Sequence, residues 1–360
     1  MIVRKVTIGE LLDFVKSEEY LALCPKPISP LRAVSQAKNP AGQTDDVALI
    51  FVSEEDRLIA FAGLLPDELA DAPEPVYSNS GWWVHPELGR KYALSVFLNA
   101  LQSCNRRMFL TDCTEYTKSI LEKTGLFHFQ TPMTGERFIF RFYLDNYFKS
   151  KSKYQFVSGL FSMLDGLGNM LISYRIKNWR KKYLPAGFTV GLQSEAGSEL
   201  NEFIRTYSAD YILKQDTDKL NWIVQNKWMT DNMDSLLVDY PFSQYVQSFR
   251  QEFLVIHKNS KVVALFLLSW RNHHVSIPYS YFNDKHLSDI VILLIDYLLK
   301  RKANSLVVFN PKLLPVVDQL NIPIIKRFNI VRHSGYTNEL KELFDGKRFF
   351  QDGEGDAAFT

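Results

Sequence analysis

The residues of this chain best suited to chemistry lie in the run Val84-His85-Pro86-Glu87-Leu88-Gly89-Arg90-Lys91-Tyr92-Ala93-Leu94-Ser95. Pro86 has no N–H for a further ladder bond, so it ends the aromatic, β-branched strand that starts at Tyr77. Beyond the loop, Ala93, Val96, Phe97, Ala100 and Leu101 recur at helical spacing, which predicts a helix with one buried face. A strand, a tight basic loop and a helix N-terminus aim free backbone N–H groups and the positive end of a helix dipole at one place. The natural guest is a phosphate or pyrophosphate. Other reactive side chains offer less. Asp112 beside Cys113 should raise the thiol pKa, and His273-His274 is an adjacent pair expected on opposite faces of a strand, a poor metal site. No metal is expected.

The same run, with Thr117-Lys118-Ser119-Ile120-Leu121-Glu122-Lys123-Thr124-Gly125-Leu126, resembles the core of the GNAT acyltransferase superfamily. In that family a Val-x-Pro strand end leads into an Arg/Gln-x-x-Gly-x-Gly/Ala loop that wraps the pyrophosphate of acyl-coenzyme A. A later helix ends in Tyr-Glu-Lys-x-Gly-Phe. The resemblance implies acetyl-CoA or another acyl-CoA as substrate, held by Val84, Gly89, Arg90, Lys91, Tyr92, Ala93 and Ser95. The family's two loop glycines fall on Ala93 and Ser95, its thiolate-protonating tyrosine on Leu121, and the asparagine before that helix on Thr114. Leucine cannot give a proton.

Acyl transfer to an amine needs a base, an oxyanion hole and preferably an acid for the thiolate. The family supplies the oxyanion donor from backbone near Val84. His85, with an intrinsic pKa suited to a base, and Asp112 fall at the ends of adjacent strands; a structural histidine at a loop entrance and a cap for the helix near Thr114 are the alternative readings. Tyr116 is the nearest hydroxyl to replace the missing acid, or else a packing residue. Trp82 and Trp83 alternate, one into the core and one toward the cleft.

The elements that must position these groups follow in order. Ile2 to Val6 alternates as a strand, and Thr7 with Glu10 forms a capping-box pattern. A short helix is expected around Leu31 to Gln36. Val47–Val52 and Leu58–Leu65 flank Glu54-Glu55-Asp56 as a hairpin. Met108–Asp112 reads as a buried strand, Glu115–Lys123 as a helix, and Phe127–Phe129 with Arg137–Phe142 as closing strands. A second round follows from Gly187: a strand at Phe188–Val190, helices at Ala196–Tyr207 and Asp216–Met229, a hairpin around Lys258-Asn259-Ser260-Lys261, then strand Val275–Phe282, helix Leu287–Leu299, strand Leu306–Phe309 and helix Pro311–Leu320. This is the plan of the first round without its basic loop, since Asp284 at the second helix start would repel a pyrophosphate.

The expected architecture is therefore α/β (α+β), two tandem GNAT-like domains, each a mixed, mostly antiparallel sheet flanked by helices. The divisions are 1–145 with the acyl-CoA loop, 146–185 an amphipathic helical connector, 186–345 a degenerate GNAT-like domain, and 346–360 a polar, frayed tail. The connector carries Tyr154, Phe156, Leu160, Leu164, Leu171, Ile176 and Trp179, with basic residues gathering late at Arg175, Lys177 and Arg180 to Lys182. It reads as packing between domains or as a membrane-surface helix over 150–182.

Composition bounds the rest. With 360 residues, 46% hydrophobic and 14% aromatic, the chain has room for two cores and is not globally disordered. A formal net charge of +2 gives no long-range pull on nucleic acid. Cys24, Cys104 and Cys113 lack metal or disulfide-framework spacing, and no uninterrupted apolar run reaches about 18 residues, so a reducing, cytoplasmic setting is expected. Two functions follow from the resemblance: an acyl-CoA-dependent transferase acting on a small amine or hydroxyl acceptor, or a catalytically inactive relative, a pseudoenzyme, binding a metabolite or partner in a cleft between domains.

Overall fold

A computed structural model describes residues 3–72, 74–145, 158–233, 238–344 and 348–359. Tyr154 and Phe156 lie outside the described residues. The chain forms two compact units: residues 1–133, 195–249 and 332–360 make unit 1, and residues 134–194 and 250–331 make unit 2.

In unit 1, β1 (Val3–Thr7), β2 (Val47–Glu54), β3 (Arg57–Glu68) and β4 (Pro75–Val84) pair antiparallel in that order, and β5 (Met108–Cys113) joins β4 in parallel. Helices α1 (Leu11–Phe14), α2 (Glu18–Ala22) and α3 (Pro30–Ala37) precede the hairpin, and Pro30 sits in the first turn of α3 behind the Ser29 cap. α4 (Ala93–Ser103) makes the crossover, with Val96, Phe97, Ala100 and Leu101 buried against Ile59, Ala62 and Leu64 of β3. α5 (Glu115–Lys123) and β6 (Phe127–Phe129) follow.

In unit 2, β7 (Met133–Ile139) precedes α6 (Ser158–Tyr183) and β8 (Phe188–Gln193). α7 (Asn201–Tyr207) and α8 (Thr217–Gln225) then return to unit 1. β9 (Phe249–Lys258), β10 (Lys261–Arg271) and β11 (His274–Phe282) follow, and β12 (Ser305–Val308) joins β11 in parallel after α9 (Leu287–Lys300). α9 is apolar nearly all round and buried from Ile290 to Leu299. α10 (Leu313–Gln319) and β13 (Lys326–Thr337) close the list of major elements.

The two sheets share one plan, but their last strands are exchanged. The strand beside β5 is β13, whose residues 333–336 pair antiparallel with it and which also holds β6. The strand beside β12 is β7, antiparallel across Ser305↔Ile139 to Val308↔Glu136. The expectation that residues 137–142 close the first sheet is corrected: Arg137 to Ile139 complete the second, and residues 333–337 at the end of β13, which carries weak alternation, complete the first.

Other expectations shift for local reasons. Asn272 and His273 adopt φ of 51° and 64°, the left-handed pair of a two-residue hairpin turn, so His273 lies in a turn and only His274 in a strand. Residues 348–359 of the terminal stretch, expected to fray, pack into unit 1, with Phe350, Glu354 and Phe359 buried. Phe349 exchanges backbone hydrogen bonds with Asp210 and Ile212, Phe350 stacks on Phe109 at 5.3 Å, and Phe359 stacks on Trp228 at 4.3 Å. Its aromatic residues outweigh the polar signal of its glycines and carboxylates.

Candidate functional site

The geometry of the site begins with β4. Its register against β3 slips between Ala62 and Leu64, where Gly81 adopts φ 89° and a Cβ on Gly63 would meet the Ser80 carbonyl oxygen at 2.2 Å. This bulge turns the end of β4. Pairing between β4 and β5 is confined to Tyr77↔Met108 and Ser78↔Phe109, so beyond these the two parallel strands are no longer bonded to each other. Trp82 packs on Phe97 of α4 at 4.6 Å, and Trp83 faces Phe61 on the other side of the sheet at 6.2 Å.

At the loop, His85 N donates to Ile59 O at 2.8 Å, and His85 Nδ1 accepts from the amides of Glu87 and Leu88, each at 3.3 Å. Gly89 is buried because a Cβ there would lie 2.5 Å from His85 N and 2.7 Å from Ile59 O; its role is close packing against β3. Gly89 O accepts from the amides of Tyr92 and Ala93. Among the described residues, the amides of Arg90, Lys91, Leu94 and Ser95 have no acceptor. Arg90, Lys91 and Ser95 are exposed, and Tyr92 lies half-buried against the α4 core with Lys91 Nζ 4.8 Å from its ring. Four open donors, two cations and a helix N-terminus make a place for a polyanion.

The three residues expected to be catalytic are not joined to one another by any hydrogen bond or ion pair. His85 has its Nδ1 lone pair engaged by the amides of Glu87 and Leu88, which ties the ring to the loop. Asp112 is exposed at the end of β5, and Arg332 Nε lies 3.6 Å away. It is no helix cap, since Thr114 caps α5 itself by accepting from Thr117 N. Tyr116 is 75% exposed. Leu121 is fully buried in the core. Burial first, then Asp112, pushes the Cys113 thiol up to about 11, which keeps it protonated.

Sequence reasoning missed a polar system on the opposite face of β4 from α4. Arg32 of α3 donates to Tyr240 Oη at 2.6 Å and to Ser80 Oγ at 2.8 Å, meets Asp356 at 3.4 Å, and stacks over Trp228 at 4.0 Å. Lys219 of α8 bridges Asp67 at 2.8 Å and Glu354 at 3.0 Å, and Gln215 donates to Glu354 at 2.5 Å. Thr111 Oγ1 donates to Glu354 O at 2.9 Å, and Arg332 pairs with Asp352. His333 Nε2 meets Glu115 at 2.7 Å. Burial outweighs Lys219 and raises the carboxyls of Asp67 and Glu354 well above the usual range, and burial likewise outweighs Arg332 to lift Asp352 to about 6. The only signal for these groups was acids alternating with glycine in Asp352-Gly353-Glu354-Gly355-Asp356, whose partners lie far away in the chain.

In unit 2, the helix start that corresponds to α4 carries Asp284, held by Lys312 at 3.0 Å. No metal-binding group of His, Cys, Asp and Glu occurs among the described residues, and no described helix is long and apolar enough to cross a membrane.

No protein-family profile and no curated protein matches the chain. Among solved structures it is similar to a conserved protein of unknown function from Enterococcus faecalis V583, described as a probable N-acyltransferase, at 10% identity and TM-score 0.53 over 95% of this chain and 73% of that one. It also aligns with N-myristoyltransferase of Saccharomyces cerevisiae bound to myristoyl-CoA (13% identity, TM-score 0.47, 93% and 82% coverage). A tandem GNAT protein from the clavulanic acid biosynthesis pathway aligns at 11% identity and TM-score 0.48, over 93% and 98%. At such identities only the first bears on the argument, and it bears on fold. The strand plan repeated in each unit agrees with the expected α/β architecture of two similar rounds, and the fold is shared with the Enterococcus protein.

Proposed function

We propose that unit 1 binds an acyl-CoA at the start of α4 and transfers its acyl group to a small amine or hydroxyl acceptor. The observation that carries this reading is the set of open amides at Arg90, Lys91, Leu94 and Ser95 beside the exposed Arg90 and Lys91 side chains. The pyrophosphate would take those donors. The thioester would lie along the end of β4, where β5 no longer pairs and backbone donors could face a developing oxyanion. Asp112 is assigned the proton acceptor, because His85 has its lone pair engaged and the Tyr116 hydroxyl stands in solvent. The resemblance in the Val84 to Ser95 run and the description of the Enterococcus protein support the class of reaction.

A second reading is favoured by Leu121, buried where the family places its acid. Here unit 1 binds the nucleotide without turning it over. Calorimetry with acetyl-CoA, followed by release of free thiol across amine and alcohol acceptors, tests both. Absence of heat removes both readings, and heat without thiol leaves the second.

A further inference from the structure

We propose that the outward face of α6 (Ser158–Tyr183) is a docking surface for an anionic lipid bilayer. The helix is held to unit 2 along one side. Asp165 accepts from the amides of Leu144 and Asp145 at 3.0 and 2.9 Å, Ile172 is buried, Trp179 Nε1 donates to Leu320 O at 2.9 Å, and Arg180 pairs with Asp296. Asp165, Ile172, Trp179 and Tyr183 share one side of the cylinder at helical spacing.

The other side is apolar too. Leu160, Met163, Leu167, Met170, Leu171 and Tyr174 recur at spacings of three and four and are exposed, Leu171 at 66% and Tyr174 at 68%. Exposed leucines scattered singly need no explanation, but a continuous stripe does. At 100° per residue this stripe occupies an arc centred away from the Asp165–Trp179 side.

Charge decides the occupant. The sole carboxylate of α6 is Asp165, and it is buried and engaged, so the outward face carries no negative charge. Arg175, Lys177, Lys181 and Lys182 are exposed and flank or extend the apolar arc. In a pairing of two copies through this face, the cations of one helix would find no acid on the other. An anionic surface instead takes both features, apolar side chains entering the acyl boundary by about 5–10 Å and ammonium groups staying at the headgroups. α6 would lie in the plane of the surface, not cross it.

The test uses the full chain and flotation with vesicles of phosphatidylcholine alone or mixed with phosphatidylglycerol. Binding is expected with the mixed vesicles, weakening as salt is raised and small with phosphatidylcholine alone. The double variant Lys177→Glu with Lys181→Glu should lower the partition coefficient by about tenfold or more, since each basic residue near such a surface adds about a factor of five. Leu167→Glu with Leu171→Glu should abolish binding while the melting temperature stays at the wild-type value, which a packing role for these residues would not allow. Wild-type protein that ignores mixed vesicles, or binds both compositions equally, overturns the proposal. So does a dimer in sedimentation that dissolves on Leu167→Glu with no vesicle binding, which gives the face to a second copy.

Discussion

Lys219 donates a 3.0 Å hydrogen bond to Glu354, a residue 135 positions further along the chain, and both side chains are buried in unit 1. Asp67 takes the other side of the same ammonium. Burial opposes the charge on Lys219, but attraction to the two carboxylates outweighs it and raises its pKa. Burial outweighs the ammonium and pushes both carboxyls up, and for Glu354 the neighbouring Asp67 adds to the rise.

Replacing Lys219 by alanine should therefore cost about 3–5 kcal/mol above neutral pH, because two buried carboxylates are left facing each other. In acid both can take a proton, so the loss should shrink. Thermal melts of the variant and wild type on either side of neutrality check this. A loss independent of pH would mean that Lys219 acts by packing alone.

Arg32→Ala removes bonds to Tyr240, Ser80 and Asp356 together with the stacking on Trp228. About 3–5 kcal/mol of stability should go with it. Arg32→Lys should recover only part, since an ammonium cannot serve two directions in a plane while lying over a ring. Urea unfolding midpoints for the two variants distinguish planar recognition from simple charge.

Asp352 has its carboxyl lifted from 3.8 to about 6 in the fold, so the folded state holds more protons than the unfolded state between those values. Its contribution to stability is present in acid and lost as pH rises through about 6. Asp352→Asn never ionises and escapes that loss. The melting temperature of the variant minus that of wild type should rise from about pH 4 to about pH 7.5. A difference that falls over this interval would show that the pairing with Arg332 outweighs burial.

Arg90→Glu should weaken acetyl-CoA binding by about tenfold or more, as a charge reversal at one turn of a phosphate site costs upward of about 1.4 kcal/mol. The side chain is exposed, so the melting temperature should hold. Isothermal calorimetry on wild type and variant reads the effect. Equal affinities would move any nucleotide elsewhere.

Much of the architecture is legible in residue order because it is local. The hairpin at Val47–Glu54 and Arg57–Glu68, the α4 stripe of Val96, Phe97, Ala100 and Leu101, and the apolar α9 each announce themselves through periodicity within a few turns. The same holds for the loop at Arg90. What resists reading is long-range. β13 carries polar residues at exposed positions and gains its place in the first sheet by pairing with β5 and β6, which lie far earlier in the chain. Glu354 and Asp356 look like solvated charges until Lys219 and Arg32 stand next to them, and nothing in the spacing of any of the four reports that meeting.

The exchange of closing strands bears on how the molecule can be made. During synthesis the first sheet must wait, with the edge of β5 bare, until Arg332 to Thr337 have left the ribosome, whereas the second can take β7 as soon as β12 emerges. Genes split between the two rounds would therefore give products that each lack a strand, and mixing them should restore both where either alone aggregates through its open edge.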